Sequence, residues 1–275
     1  MQTLQNLVWL VMLVGFTILP AVRQWLAAVK RKALIARLEQ ARGTKVLTMI
    51  HRQTPGLLGS LSPRYIDLDD SERIMDAIRA AGDKPIDLLL HTPGGLVIAA
   101  EQIARVLHGH SAGVTVIVPQ YAMSGGTLLA LAADRILMDE NAMLGPIDPQ
   151  LDNYPAVSYL RVLQEKEINA VGDQTIIMAD MAEKAVRQVR ALAVNLLRGK
   201  LGDERANAVA LELTDGRYTH DYPIHVEHAR EMGLPVSTEI PPEFLELLGL
   251  SQPAQQQIMR KAGEKGKSSK SLQKA

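Results

Sequence analysis

The sequence predicts an α/β domain, a parallel sheet covered by helices, preceded by one N-terminal transmembrane helix. Three observations carry this reading. Short apolar runs such as Ile86–Leu90 and Val114–Val118 alternate with longer runs of helical period, and strands buried on both faces belong to parallel sheets. Two small-residue turns, Pro93-Gly94-Gly95 and Ser124-Gly125-Gly126-Thr127, each follow one of those apolar runs. Leu4–Val22 contains nineteen residues and no charge, close to the roughly 20 that cross a hydrocarbon core.

The elements follow in chain order. Leu4–Val22 has no Lys or Arg before it and no small-x-small cleavage site after it, which favours an uncleaved anchor over a signal peptide. Arg23, Lys30, Arg31, Lys32 and Arg37 come next. The positive-inside rule then expects a single-pass protein of the inner or cell membrane, with the bulk of the chain in the cytoplasm. Trp25–Gln40 reads as a helix with Leu34, Ile35 and Leu38 on one stripe. Lys45–Ile50 is a strand, and His51–Pro63 a Gly/Pro/Ser loop. Asp67–Ala81 is a helix whose first turns carry Asp67, Asp69, Asp70 and Glu72, favourable to its dipole.

Ile86–Leu90 is a strand, Leu96–Leu107 a helix, Val114–Val118 a strand, Leu128–Ala133 a helix and Arg135–Met138 a strand. Asn141–Pro155, with one Gly and three Pro, reads as an irregular connection. Helices are expected over Ala156–Glu165, Thr175–Leu197, Asp203–Leu213 and Pro223–Met232. In the long helix Thr175–Leu197, Ile176, Met178, Met181, Ala185, Val189 and Leu192 are the packing positions. The segment after Ser251 loses periodicity and gathers five lysines, as a solvated basic tail does. The expected domains are an anchor over 1–22, a juxtamembrane helix over 23–43, an α/β domain over 44–250 and the tail over 251–275.

Composition narrows the function. Of 275 residues, 47% are apolar, enough for a large core, but only 4% are aromatic. Stacking platforms for single-stranded nucleic acid are therefore not expected. Lys+Arg and Asp+Glu number 30 each, so no global field recruits a polyanion. The absence of cysteine excludes disulfides, thiolate nucleophiles and Cys-ligated zinc. His225 and His228 are three apart on a helix, but no third ligand completes a metal set, and no cofactor is expected.

The two turns carry the chemistry. A serine at the carboxyl end of a strand, followed by two glycines and a helix, presents its hydroxyl beside backbone N–H groups. Acyl chemistry needs that pairing of nucleophile and oxyanion donors. Gly94 and Gly95 let a second stretch of backbone approach closely. Loops at the carboxyl ends of parallel strands share one edge, so both turns are expected together.

The order strand–HTPGG–helix–strand–YAMSGGT–helix–strand–MLGPID resembles the Clp-protease/crotonase fold. It is most similar to the membrane-bound signal peptide peptidase A group of serine peptidases, and within it to the serine dehydrogenase proteinases. The likeness spans roughly Lys45 to Val236. Tyr121–Gln150 is its most specific piece, and Gly216–Leu234 resembles the late turn–helix–Gly-Leu segment of that fold. The resemblance implies a serine endopeptidase (a hydrolase) that self-associates, with Ser124 as nucleophile and Gly94 or Gly95 and Gly125 as oxyanion donors. Its substrates would be extended peptides or membrane-protein remnants.

The base is less evident. Clp subunits use a histidine about 25 residues after the serine, and here that stretch has none. The peptidase A group uses a lysine, which burial can make basic enough. Lys184, near the expected apolar stripe of its helix, is the favoured partner of Ser124. Lys166, between Glu165 and Glu167, is the alternative, and His220 beside Asp221 is the fallback. Two other functions compete: a crotonase-type acyl-CoA enzyme, and a catalytically inactive membrane scaffold.

Overall fold

Apolar side chains on both faces force the central strands inside. β2 (Ile86–His91) is buried at all six positions, and Leu88, Leu89 and Leu90 expose nothing, each contributing about 1.5–3 kcal/mol of burial. The computed structural model describes residues 18–51 and 65–251, with isolated positions 2, 5, 6, 9, 12 and 15 before them. Most of Leu4–Val22, nearly all of the expected loop His51–Pro63 and the expected basic tail after Ser251 lie outside the described residues. Among the described residues no helix is long and apolar enough to cross a membrane.

The chain divides into two compact units, one of residues 1–43 with 241–275 and one of residues 44–240. In the first, α1 (Leu19–Arg42) begins with a Pro in its first turn and ends on Gly43 in the left-handed region. It buries Leu34 and Leu38. In the same unit Arg37 reaches Glu243 at 3.3 Å, and the Arg42 guanidinium lies over the ring of Phe244.

The second unit holds the sheet. β1 (Lys45–Ile50), β2, β3 (Val114–Val118) and β5 (Arg135–Met138) pair in parallel, and a short β9 (Val236–Ser237) adds to β5. α2 (Leu68–Ala81) starts at a capping box in which Asp67 and Asp70 each accept the other's backbone N–H. α3 (Val97–His108) covers the sheet with Ala99, Ala100, Ile103, Ala104 and Leu107. α4 (Gly125–Ala132) is buried along its whole length, as an unbroken apolar helix should be.

A smaller ribbon lies beside this sheet. β4 (Tyr121–Ala122) pairs in parallel with β6 (Met143–Leu144), and Leu144 bridges antiparallel to Ile224. The expected irregular stretch Asn141–Pro155 therefore contains order, including an antiparallel hairpin of β7 (Gln150–Leu151) and β8 (Tyr154–Pro155). Its two-residue turn, Asp152-Asn153, has positive φ at both positions, the geometry that suits a tight hairpin and that these side chains tolerate.

α5 (Ala156–Glu165) packs on α6 (Asp173–Leu201), which in turn packs on α7 (Asp203–Thr214). α8 (Val226–Glu231) starts three residues later than the apolar pattern suggests, and α9 (Pro242–Leu250) lies in the first unit. The buried stripe of α6 runs through Ala179, Ala182, Val186 and Val189. Met181, expected to pack, is 47% exposed.

Candidate active site

Ser124 stands at the junction of β4 and α4 with φ 49° and ψ −115°. A non-glycine residue at positive φ is strained, by about 1–3 kcal/mol, and such strain gathers at functional sites. The bend makes Ser124 the residue before α4, so the helix begins one residue after the serine, earlier than Leu128, where the apolar pattern starts. Ser124 is half-buried, not sunk in the core. Its carbonyl accepts Leu128 N–H at 3.2 Å, and Gly126 N–H donates to Met123 O at 2.7 Å.

The diglycine turn is packed directly on this bend. A Cβ built on Gly94 would stand 2.8 Å from Ser124 Cβ, and one built on Gly125 would stand 3.5 Å from Gly95 N. Gly94 also has φ 107°, a conformation that favours glycine. A Cβ on Gly95 would meet Ile66 N and O at 2.3 Å, because Ile66 pairs with the turn through Ile66 N–H to Gly94 O and Leu96 N–H to Ile66 O. The N–H groups of Gly95 and Gly125 donate to no acceptor among the described residues. Two free donors beside a presented hydroxyl can hold a developing oxyanion, and the N-terminus of α4 adds its dipole.

Two side chains outside the candidate set read from the sequence brace the turns. Thr92 Oγ1 accepts Gly94 N–H at 3.2 Å and lies 2.8 Å from His51 Nδ1, while His51 Nε2 lies 3.1 Å from Asp70 Oδ2. With the ring proton on Nε2, each donor in this chain has one acceptor. Thr127 Oγ1 accepts Gly145 N–H at 3.0 Å and lies 2.9 Å from the carbonyls of Ala122 and Gly145. It fastens the serine turn to the Gly145-Pro146 segment. The signals were present as the Thr of HTPGG and the Thr of SGGT.

The lysines are placed differently from the pattern that suggested Lys184. Lys184 is exposed, and its Nζ pairs with Asp180 Oδ2 at 2.5 Å. It follows the buried Ala182 by two residues, about 200° around the helix, so it points away from the packed stripe. Lys166 caps the end of α5, also exposed. Lys200, by contrast, is half-buried, and its Nζ donates to Leu131 O at 2.6 Å. Burial lowers its pKa to about 8 against a weaker opposing pull from Asp134. Leu131 is seven residues along α4 from Ser124, about 10 Å of helix rise, so Lys200 caps the far end of that helix.

His220 pairs not with its neighbour Asp221 but with Asp148, Nδ1 to Oδ1 at 2.8 Å. His228 Nε2 meets Glu212 at 2.9 Å. A cavity of about 1070 Å³ opens between α5 and α6, and neither Ser124 nor the three glycines line it.

The parallel sheet, the strained serine and the paired glycine turns define a serine hydrolase. The chain belongs to the ClpP-like SDH-type serine proteinases, whose family model matches residues 1–265. It is 49% identical over 256 residues to the uncharacterized protein MJ0137 of Methanocaldococcus jannaschii, covering 92% of this chain and 90% of that protein. A second uncharacterized protein of that organism, MJ1495, is 48% identical over 223 residues, 80% of this chain and 76% of its own length. Among solved structures, a mutant of the membrane-bound stomatin-specific protease 1510-N matches at 20% identity with a TM-score of 0.48, covering 74% of this chain and 82% of that one.

Proposed function

We propose that this serine proteinase is a membrane-anchored endopeptidase. Ser124 Oγ attacks the peptide carbonyl and forms an acyl-enzyme that water later hydrolyses. Gly95 N–H, with Gly94 packed against the serine, and Gly125 N–H hold the oxyanion. The observation that carries this reading is the contact of the diglycine turn with the strained serine bend. Beside that turn Leu96, Val97 and Ile98 expose apolar side chains in succession, a surface suited to an extended peptide with apolar residues.

The proton of Ser124 needs an acceptor. Lys184 is the lysine reading, with Lys166 as its alternative. Each is exposed in the single chain, so either has to be covered by substrate or by a second copy before it serves. The anchor is proposed on the uncharged run Leu4–Val22. Exposed Ile18, Leu19 and Val22 at the end of that run, and Trp25, Leu26 and Val29 just after it, support it. With basic residues after the run, the proteinase domain faces the cytoplasm.

The test is Ser124→Ala in detergent-solubilised protein. Cleavage of an unfolded protein substrate should disappear while the elution volume of the oligomer stays the same. Retained cleavage overturns the proposal.

A further inference from the structure

We propose that His220, oriented by Asp148, is the general base that activates Ser124, an inference that rests on Ser124 being the nucleophile. Asp148 is 2% exposed, and a carboxylate is buried at that depth only when it is paired and hydrogen-bonded. Its Oδ1 lies 2.8 Å from His220 Nδ1, and its Oδ2 accepts Gln150 Nε2–H at 2.7 Å. A carboxylate on Nδ1 fixes both ring orientation and tautomer, leaving Nε2 as the basic atom. The His220 side chain is 33% exposed, so the ring is open to a reactant while its other side is tied down.

The small ribbon brings this pair to the serine's edge. Ala122 pairs in parallel with Leu144, and Leu144 pairs antiparallel with Ile224, by Leu144 N–H to Ile224 O at 2.9 Å and Ile224 N–H to Leu144 O at 3.0 Å. Ser124 leaves the ribbon two residues beyond Ala122, and Asp148 four residues beyond Leu144. His220 lies four residues before Ile224, and because that segment runs the other way, it leaves from the same edge. Two strand spacings, about 10 Å, separate the backbones of Ala122 and Ile224, a span that a serine and an imidazole reaching toward each other can close. The turn carrying His220 is itself braced, with Tyr218 and Tyr222 stacked at 4.2 Å and Tyr222 N–H donating to Thr219 O.

His220 Nε2 takes the Ser124 hydroxyl proton as Oγ bonds to the carbonyl carbon, and the carbonyl π pair moves to the oxygen facing Gly95 and Gly125. The imidazolium then gives that proton to the departing amine nitrogen as the C–N bond breaks. In the second half a water gives its proton to Nε2, attacks the acyl carbon, and Ser124 Oγ leaves with the returned proton. Asp148 stays ionised throughout and acts as a positioning residue.

The experiment measures the rate at which a fluorophosphonate probe labels the full-length protein, alongside peptide cleavage. His220→Ala should slow both by about 10²–10⁴-fold, and added imidazole should restore part of the loss, which a purely structural role would not allow. Asp148→Asn should lower kcat with KM little changed. His220→Gln keeps a side chain that can bond to Asp148 and guards against misfolding; it should melt like the wild type and label slowly. Wild-type labelling in His220→Ala or His220→Gln, or loss confined to Lys184→Ala or Lys166→Ala, overturns the assignment while leaving the nucleophile intact. Cleavage persisting in Ser124→Ala instead overturns the nucleophile itself.

Discussion

Ser124 pays for its exposure with an unfavourable backbone, and that has a measurable consequence. Ser124→Gly removes the hydroxyl but also relieves the positive φ. The variant should be inactive and more stable by up to about 2 kcal/mol, after subtracting the extra chain entropy of glycine. Ser124→Ala keeps the strain and should melt like the wild type, so comparing the two melts separates strain from chemistry. Thr92 gives a second prediction. Thr92→Val leaves Gly94 N–H and His51 Nδ1 without the hydroxyl that joins them. Steady-state kinetics should show kcat falling at least about tenfold with little change in KM, short of the 10²–10³ lost with an oxyanion donor. The serine and the glycines were legible in the sequence because small residues at a strand end have few other uses. The pairing of His220 with Asp148 was not, because those residues are far apart in the chain and meet only through the bridge of Leu144 to Ile224.

At the scale of elements, α4 is held at both ends. Its start is fixed by the serine bend, and near its end the Leu131 carbonyl receives the Lys200 ammonium, the sign of charge a helix C-terminus favours. The burial that lowers the Lys200 pKa to about 8 makes stability depend on pH. Between about 8 and the ordinary value of 10.5 the unfolded chain binds a proton that the folded chain has lost. Stability therefore rises with pH across that window, and the charged-state cost is fully present below it. Thermal melts of wild type and Lys200→Met should show the wild type gaining on the variant from pH 8 to pH 10. Most elements followed from apolar period alone. The buried face of α6 is only partly marked by period: Val189 and Leu192 pack as expected, whereas Ala179 and Ala182 are buried and Met181 is exposed, and alanine contrasts too weakly with its neighbours to mark a face. The hairpin of β7 and β8 hid because strands of two residues have no period, although Asp152-Asn153 is a turn signal.

For the whole molecule, the parallel order of the central sheet explains why two turns about thirty residues apart in sequence share a site. Both follow strands that point the same way, and Gly94 comes to rest on Ser124. The alternation of apolar runs makes that architecture legible in the sequence, whereas the fifth strand, β9, has only two residues and leaves no pattern. The proposed anchor belongs to this scale too. A variant lacking residues 1–18 should leave the membrane fraction on flotation yet still cleave a soluble peptide; if it floats as the full chain does, Leu4–Val22 is not what holds the protein to lipid. The most direct measurement of the central claim is a crystal structure of the protein inactivated by a peptidyl phosphonate. The account predicts phosphorus bonded to Ser124 Oγ and the phosphoryl oxygen about 2.7–3.1 Å from both Gly95 N and Gly125 N. An adduct on another residue, or an oxygen turned away from those two amides, would contradict it.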